Sequence, residues 1–357
     1  MRVAIVGPAF PYKGGGALHT TELAHRLTAL GHDVVVESWR AQYPSFLYPG
    51  QQTIEVPEGE PFPGVRRELD WRRPDGWLAC GRRLRGADLV VLTLLSPVQV
   101  PAYLGILYGL RREAPVVALC HNVLPHERKA HDAPLVRALL RRADRVLAHS
   151  EEQAGLARGL APTPVSVAAL PPHLPGKAGT GAGGGVRRRL LFFGIVRPYK
   201  GLDLLLRALA RVPGVSLTVA GEFWGGLDQT RALVTELGLG ERVDLRPGYV
   251  PAEDVPELFA GADALVMPYR SATGSQNAWL GHEHGVPVIA TRVGALADHV
   301  TDGVDGLLTE PSVEALAATI ERFYADGEPE RLRQGVKAVD PEPYWAAYAS
   351  ALLPSGA

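Results

Sequence analysis

Two doubly wound α/β domains are what the sequence predicts, on three observations. Short β-branched apolar runs alternate with longer amphipathic stretches throughout, the pattern left when crossover helices cover both faces of a parallel sheet. The chain has 357 residues, more than the roughly 100 to 200 usual for one domain. Residues 176–185 read GKAGTGAGGG, which cannot pack a core and has the composition of a flexible coil, and a fresh apolar strand follows. Residues 1–175 are therefore expected as one domain, 176–185 as a linker and 186–340 as a second domain, with a C-terminal helix in 341–357.

In the first domain, strands are predicted at Arg2–Gly7, Asp33–Ser38, Asp88–Leu94, Val116–His121, Arg145–His149 and Val165–Leu170, each built on a run of Val, Ile, Leu or Ala. Helices lie between most of them. The second domain opens with Leu190–Gly194 and continues with strands near Ser216–Ala220, Val243–Arg246, Ala264–Pro268 and Val286–Thr291. In the tail, Tyr344, Tyr348 and Leu352 follow an i, i+4, i+8 spacing with Trp345 beside them, which predicts a helix docked on a neighbour; periodicity does not decide which domain, and a return to the first would tie the two lobes together.

The composition is that of a folded chain, 46% hydrophobic and 21% charged, and a net charge of −1 provides no field to recruit nucleic acid. The halves differ, with 20 Lys+Arg against 16 Asp+Glu in 1–175 and 17 against 22 in 176–357. Arg82, Arg83, Arg85, Arg111, Arg112, Arg137, Arg141 and Arg142 contribute to the basic excess; they read as solvated helix faces or as attraction to anionic lipids. Cys80 and Cys120 lack disulfide-framework or zinc spacing, which fits a reducing compartment. No charged leader with an apolar core is visible, nor an apolar run of about 18 residues or more. The expected location is cytoplasmic, with peripheral contact at the inner membrane face.

Ligands of doubly wound sheets sit outside the carboxyl ends of the strands, so the loops there carry the functional reading. After the first strand, Gly14-Gly15-Gly16 opens a helix, whose N-terminus offers free N–H groups to an anion, although the loop is neither a dinucleotide fingerprint nor a P-loop. A plain strand-to-helix turn explains it equally. After the fourth strand, His121 leads Cys120-His121-Asn122-Val123-Leu124-Pro125-His126-Glu127; a hydroxyl-binding or catalytic role is favoured over a structural one. Steps of five between His121, His126 and His131, interrupted by Pro125, argue against a metal site. In the second domain, Arg197 and Lys200 lie three apart in Phe193-Gly194-Ile195-Val196-Arg197-Pro198-Tyr199-Lys200-Gly201, a cation pair suited to a diphosphate. Gly221-Glu222-Phe223-Trp224 and Tyr249-Val250-Pro251 could wall a base pocket or simply pack. Thr273-Gly274-Ser275-Gln276 precedes an apolar helix, whose N-terminus is a second anion site.

In this order, these residues resemble the family 4 glycosyltransferases, a retaining group of the GT-B fold. Phe193-Gly194-x-x-Arg197-Pro198-x-Lys200-Gly201 is similar to the family's phosphate-binding turn, and Gly285-Val286-Pro287-Val288-Ile289-Ala290-Thr291 with Gly294 to its G-x-P-V-I-A-T-x-x-G signature. The resemblance implies two Rossmann-like domains facing each other across a cleft. It also implies that Arg197 and Lys200 hold a donor diphosphate approached by Gly15 and Gly16, and that His121 reaches a donor-sugar hydroxyl. Thr273, Gly274, Ser275 and Gln276 would meet the diphosphate and sugar, and Glu222 would lie near the nucleotide. The E-x7-E pair of many members falls here on Ala272 and Leu280, neither acidic, with Glu283 one turn further along as the substitute for the ribose contact.

The expected function is transfer of a sugar, with retention and without metal or cofactor, from a nucleotide-diphosphate sugar to a hydroxyl of a glycan, a lipid-linked or a small-molecule acceptor. His19, Gln42, Tyr43, Trp71 and Trp77 fall in loop-like or unassigned stretches of the acceptor domain, as sugar platforms or as core. The alternatives are a non-catalytic nucleotide-sugar or glycan-binding module, a GT-B nucleotide-sugar epimerase and a glycosyl phosphorylase. A nicotinamide-dependent oxidoreductase lacks its fingerprint here.

Overall fold

The computed structural model describes residues 1–44, 51–57, 59–125, 128–173, 185–272 and 275–354. The chain divides into two compact units, Met1–His173 with Pro341–Ala357, and Leu174–Asp340. Of the expected linker, all but Gly185 lies outside the described residues.

The first unit carries seven parallel strands, β1 (Arg2–Val6), β2 (Asp33–Ala41), β3 (Val65–Asp70), β4 (Leu89–Leu94), β5 (Val116–Cys120), β6 (Arg145–Ala148) and β7 (Val165–Val167). Their order in the sheet is β3-β2-β1-β4-β5-β6-β7. The direction of winding therefore reverses between β1 and β4, the switch point at which doubly wound sheets bind ligands. Crossovers include α1 (Gly15–Ala29), α2 (Pro74–Arg83), α3 (Val100–Leu110), α4 (Asp132–Leu140) and α5 (Glu151–Leu160). Alternation along β4 sends Val90, Leu92 and Leu94 to one core, with Tyr103 and Ile106 of α3, and Leu89 and Val91 to the other, with Leu23 and Leu27 of α1. Burial on both faces explains why such strands read as unbroken apolar runs.

The second unit repeats the plan with β8 (Arg189–Phe193), β9 (Ser216–Gly221), β10 (Val243–Pro247), β11 (Ala264–Met267), β12 (Val288–Thr291) and β13 (Gly306–Thr309), in the order β10-β9-β8-β11-β12-β13. Its helices are α6 (Leu202–Arg211), α7 (Leu227–Glu236), α8 (Val255–Ala260), α9 (Gln276–Glu283), α10 (Val313–Phe323) and α11 (Glu328–Gly335). Asp263, fully buried, accepts from the amides of Arg187 at 3.0 and 3.1 Å and of Arg189 at 2.9 Å, and so pins the entry into β8.

The last helix, α12 (Glu342–Leu352), belongs to the first unit, where Trp345, Tyr348, Ala349 and Leu352 join the α1 face of the core. Tyr344, expected on that face, is 38% exposed, because the buried stripe runs 345, 348, 349, 352 rather than in steps of four. Two strands were not expected. β3 reads Val-Arg-Arg-Glu-Leu-Asp, a sheet edge with Arg66, Arg67 and Glu68 exposed, and β13 has only four residues at the other sheet's edge.

Candidate functional site

In the first unit, Gly15 and Gly16 are the first two residues of α1, directly beyond β1 at the switch point. A Cβ at Gly15 would meet nothing within 4 Å, whereas one at Gly16 would press on Leu95 at 2.7 Å. Their amides belong to the first turn, which has no intrahelical acceptor. His121 follows β5, with its amide donating to Leu94 O at 3.0 Å, and the loop beyond is held by Val123 N donating to Gln153 Oε1 at 2.8 Å. His126 and Glu127 of this motif lie outside the described residues.

The sheet register places further histidines beside His121. Cys120 pairs with Ala148, so His149, the next residue after β6, stands next to His121 with ring centroids 4.9 Å apart. His19 of α1 closes on the same ring at 4.9 Å, and its Nδ1 is 2.8 Å from His173 Nε2. Burial lowers the pKa of His19 and of His121 well below the usual imidazole range, and that of His149 to about 3, with the neighbouring histidines adding to the shift in each case. All three are neutral at physiological pH. Among the described residues, no three or more His, Cys, Asp or Glu are grouped to hold a metal ion.

Of the aromatic and polar residues singled out for an acceptor, His19 and Gln42 are buried, and Trp77 packs against the core with Nε1 donating to Asp70 O at 2.8 Å. Gln42 Nε2 donates to the Tyr43 hydroxyl at 3.2 Å. Trp71 alone of these rings is among the strongly exposed ones, at 39%, with the Arg72 guanidinium 6.0 Å from its centre.

In the second unit, the loop after β8 is built around Lys200. Its Nζ lies 5.3 Å from the centre of the Tyr269 ring and 3.6 Å from where a Cβ on Gly194 would sit. Burial lowers the Lys200 pKa, and Arg197 nearby acts in the same direction. Arg197 caps the short turn Pro198–Lys200 and lays its guanidinium 5.1 Å from the Trp224 ring centre. Two clamps fix this turn. Arg270 grips Asp203 through two hydrogen bonds of 2.7 Å while its amide donates to Tyr199 O at 2.7 Å, and Gly201 passes so close to Pro268 that a Cβ would lie 2.0 Å from its carbonyl oxygen.

The opposite wall is the start of α9. Ser275 is its N-cap, accepting from Asn277 N at 3.3 Å, and Gln276 is its first residue, whereas Thr273 and Gly274 lie outside the described residues. Asn277 Nδ2 donates to Phe193 O at 2.8 Å and stitches the two loops together. The Gly285–Gly294 signature backs this arrangement rather than touching it. Thr291 Oγ1 donates to Tyr269 O at 2.6 Å, and Gly294, at φ +49°, lies where a Cβ would be 1.9 Å from Ala272 O. Glu222 bonds Val196 through its carbonyl at 2.7 Å, bringing the end of β9 against the same loop.

A cavity of about 560 Å³ opens beside β9 and β10, lined by Thr218, Ala220, Arg246, Tyr249, Val250 and Glu257 among others. Its volume suits a small ligand. Of the two segments expected as base-pocket walls, Tyr249–Pro251 lines it, whereas Glu222, Phe223 and Trp224 do not, nor do Arg197 and Lys200. The folded chain adds two contacts that local pattern does not show, Asn277 to the loop after β8 and His149 to His121; Asn277 directly follows Thr273–Gln276, and His149 ends an expected strand.

Residues 13–170 match a family model described as "Glycosyltransferase Family 4", and residues 187–326 one described as "Glycosyl transferases group 1". D-inositol 3-phosphate glycosyltransferase from Segniliparus rotundus is 33% identical over 214 residues, covering 55% of this chain and 47% of the relative. The enzyme of that name from Mycolicibacterium smegmatis is 35% identical over 169 residues, 46% of this chain and 38% of its own. The chain thus spans less than half the length of either of these curated relatives. Sucrose-phosphate synthase from Thermosynechococcus elongatus superposes with a TM-score of 0.74 at 18% identity over 98% of both chains. Anabaena Alr3699/HepE in complex with UDP does so at 0.70 and 17% identity over 99% of both. At that identity the likeness concerns the fold, which is GT-B. With both halves matched by glycosyltransferase family models and both sheets wound in this way, the chain belongs to the family 4 glycosyltransferases.

Proposed function

We propose that the protein is a cytoplasmic, retaining glycosyltransferase that moves a sugar from a nucleotide-diphosphate donor to an acceptor hydroxyl without a metal or cofactor. The observation that carries this reading is Lys200. Its ammonium is desolvated in the second unit and forms no ion pair among the described residues. A half-buried ammonium with an aromatic face for company and, among the described residues, no carboxylate beside it is a costly place for a charge, and an anionic ligand recovers part of that cost. Arg197 three residues away and the α9 N-terminus across the loop suit the same anion.

Cleavage of a sugar–phosphate bond leaves negative charge on the departing diphosphate. Fixed cations and amides aimed at that charge lower the barrier without reorganising. Arg197, Lys200 and the amides at Ser275 and Gln276 have this role, to which the family resemblance also assigns Thr273 and Gly274. In the first unit, Gly15 and Gly16 offer amides to phosphate or sugar, and neutral His121 offers one ring N–H and one lone pair to a sugar hydroxyl; its Nε2 is shielded from solvent and has no hydrogen-bond partner among the described residues. Family membership supports retention, with the acceptor hydroxyl entering on the side the diphosphate leaves. Ribose contact falls to Glu283, the last residue of α9, whose pKa is raised by burial. The cavity at Tyr249–Pro251 is assigned to the base.

The test is transfer from a panel of UDP, GDP and ADP sugars, read by mass spectrometry of the product. UDP-glucose comes first, because the Anabaena protein was also crystallised with it; myo-inositol phosphate leads the acceptors, in view of the relatives' names. Arg197→Ala/Lys200→Ala should abolish transfer in a folded protein, and unchanged turnover rules the reading out. Binding of a nucleotide sugar without transfer or hydrolysis selects the non-catalytic module, which the missing glutamates at Ala272 and Leu280 favour. Among the described residues no helix is long and apolar enough to cross a membrane. The basic excess of residues 1–175 supports peripheral contact with anionic lipid, and absence of liposome binding at low salt removes that support.

A further inference from the structure

Four histidines from separate segments meet in the first unit, and α12 grips two of them. Trp345 stacks on His19, with centroids 5.5 Å apart and planes 21° from parallel. It is held there by Nε1 donating to Pro172 O at 3.2 Å. Tyr348, fully buried, places its hydroxyl 2.9 Å from His149 Nε2. Among the described residues, His19 and His149 stand edge-on to His121, each 4.9 Å away and at 88° and 84°. The C-terminal helix therefore holds two rings that flank the histidine assigned to the sugar.

The direction of the Tyr348 hydrogen bond follows from burial. Among the described residues, His149 Nε2 is the partner of this hydroxyl, and a buried O–H left without an acceptor is costly. The phenol therefore donates, Nε2 accepts, and the His149 proton resides on Nδ1. Fixing one nitrogen of an imidazole in this way selects the tautomer and sets the ring plane.

We propose that Tyr348 is a positioning residue for His121, acting through His149, so that α12 forms part of the active-site framework although Tyr348 lies 199 residues along the chain from His149. The proposal rests on the glycosyltransferase reading for its effect on turnover but not for its effect on His149. Tyr348→Phe removes the O–H and keeps the ring. In transfer assays it should lower kcat roughly tenfold, the loss expected for one hydrogen bond, with donor KM within about twofold. In the His149→Gln background the same substitution should add nothing further, as a double-mutant cycle requires for residues acting in series. Nitrogen-15 NMR of histidine-labelled protein should report a single Nδ1–H tautomer for His149 in the wild type and a mixture in Tyr348→Phe. A His149 signal unchanged by Tyr348→Phe overturns the proposal whatever the activity. So does a kcat loss that persists in full in the His149→Gln background. Should the wild type transfer no sugar, the functional reading fails while the NMR comparison still decides the hydrogen bond.

Discussion

Gly201 tests whether the cation loop is held by backbone packing. Its φ of +67° lies in the left-handed region, and an added Cβ would stand 2.0 Å from Pro268 O and 3.1 Å from its carbonyl carbon. Alanine in that region costs about 1 to 2 kcal/mol from conformation alone. The contact with Pro268 is with backbone, so relief requires the turn to move by more than 1 Å or so, which adds about 1 to 3 kcal/mol by analogy with overpacked cores. Gly238 separates the two contributions, because its φ is +64° but a Cβ there would meet nothing within 4 Å. Gly238→Ala should therefore lose about 1 to 2 kcal/mol in urea unfolding, and Gly201→Ala about 2 to 5 kcal/mol. The displaced turn carries Arg197 and Lys200, so Gly201→Ala should also weaken nucleoside diphosphate binding by calorimetry, whereas Gly238→Ala should not. Equal losses for the two variants, with diphosphate affinity intact in both, would refute the packing argument.

Asp263→Ala strands the amides of Arg187 and Arg189 in a buried setting, and should cost about 3 to 5 kcal/mol; a change in denaturation midpoint equivalent to under 1 kcal/mol contradicts it. The pH dependence of the first unit follows from His149, which titrates at about 3 when folded and near 6.5 when unfolded, burial being the cause. Between those values the unfolded chain binds more protons. The stability is therefore fully present above 6.5 and is lost as pH falls towards 3, by up to about 1.4 kcal/mol per pH unit for each such histidine. His19 and His121 act in the same direction. Urea midpoints should fall from pH 7.5 to 5, and less steeply in His149→Gln; a flat profile counts against the argument. Lys200→Met replaces a desolvated ammonium by a thioether of similar length, so the free protein should melt at the same temperature or a few degrees higher while losing the thermal shift given by nucleoside diphosphate. A retained shift contradicts the assignment.

Elements buried on both faces were legible because nothing in them needs to be polar. Val3–Val6, Leu89–Leu92 and Leu190–Phe192 are such runs. β3 escaped because a sheet edge exposes Arg66, Arg67 and Glu68, and because Asp70 ends the strand as a buried carboxylate served by the Arg72 and Arg40 guanidiniums. The expected start of β12 at Val286 fell two residues early, since Pro287 lacks the N–H a ladder needs and the strand begins at Val288. In the site, Arg197, Lys200 and the α9 N-terminus were legible as turn residues following apolar strands. The Tyr348–His149 contact was not, because no local pattern joins residues so distant in sequence. The signature glycine Gly294 was legible as a motif, yet its physical reason, the close pass of Ala272, required the folded backbone.

The loop after β8 is proposed to grip a pyrophosphate. Calorimetric affinities of the preferred nucleoside diphosphate and of the same nucleoside without phosphates, measured on the wild type and on Arg197→Ala/Lys200→Ala, address it directly. The diphosphate should bind the wild type at least about a hundredfold more tightly than the nucleoside does, as two charge-assisted contacts warrant, and this margin should collapse in the variant while nucleoside affinity persists. A margin that survives both substitutions would contradict that grip.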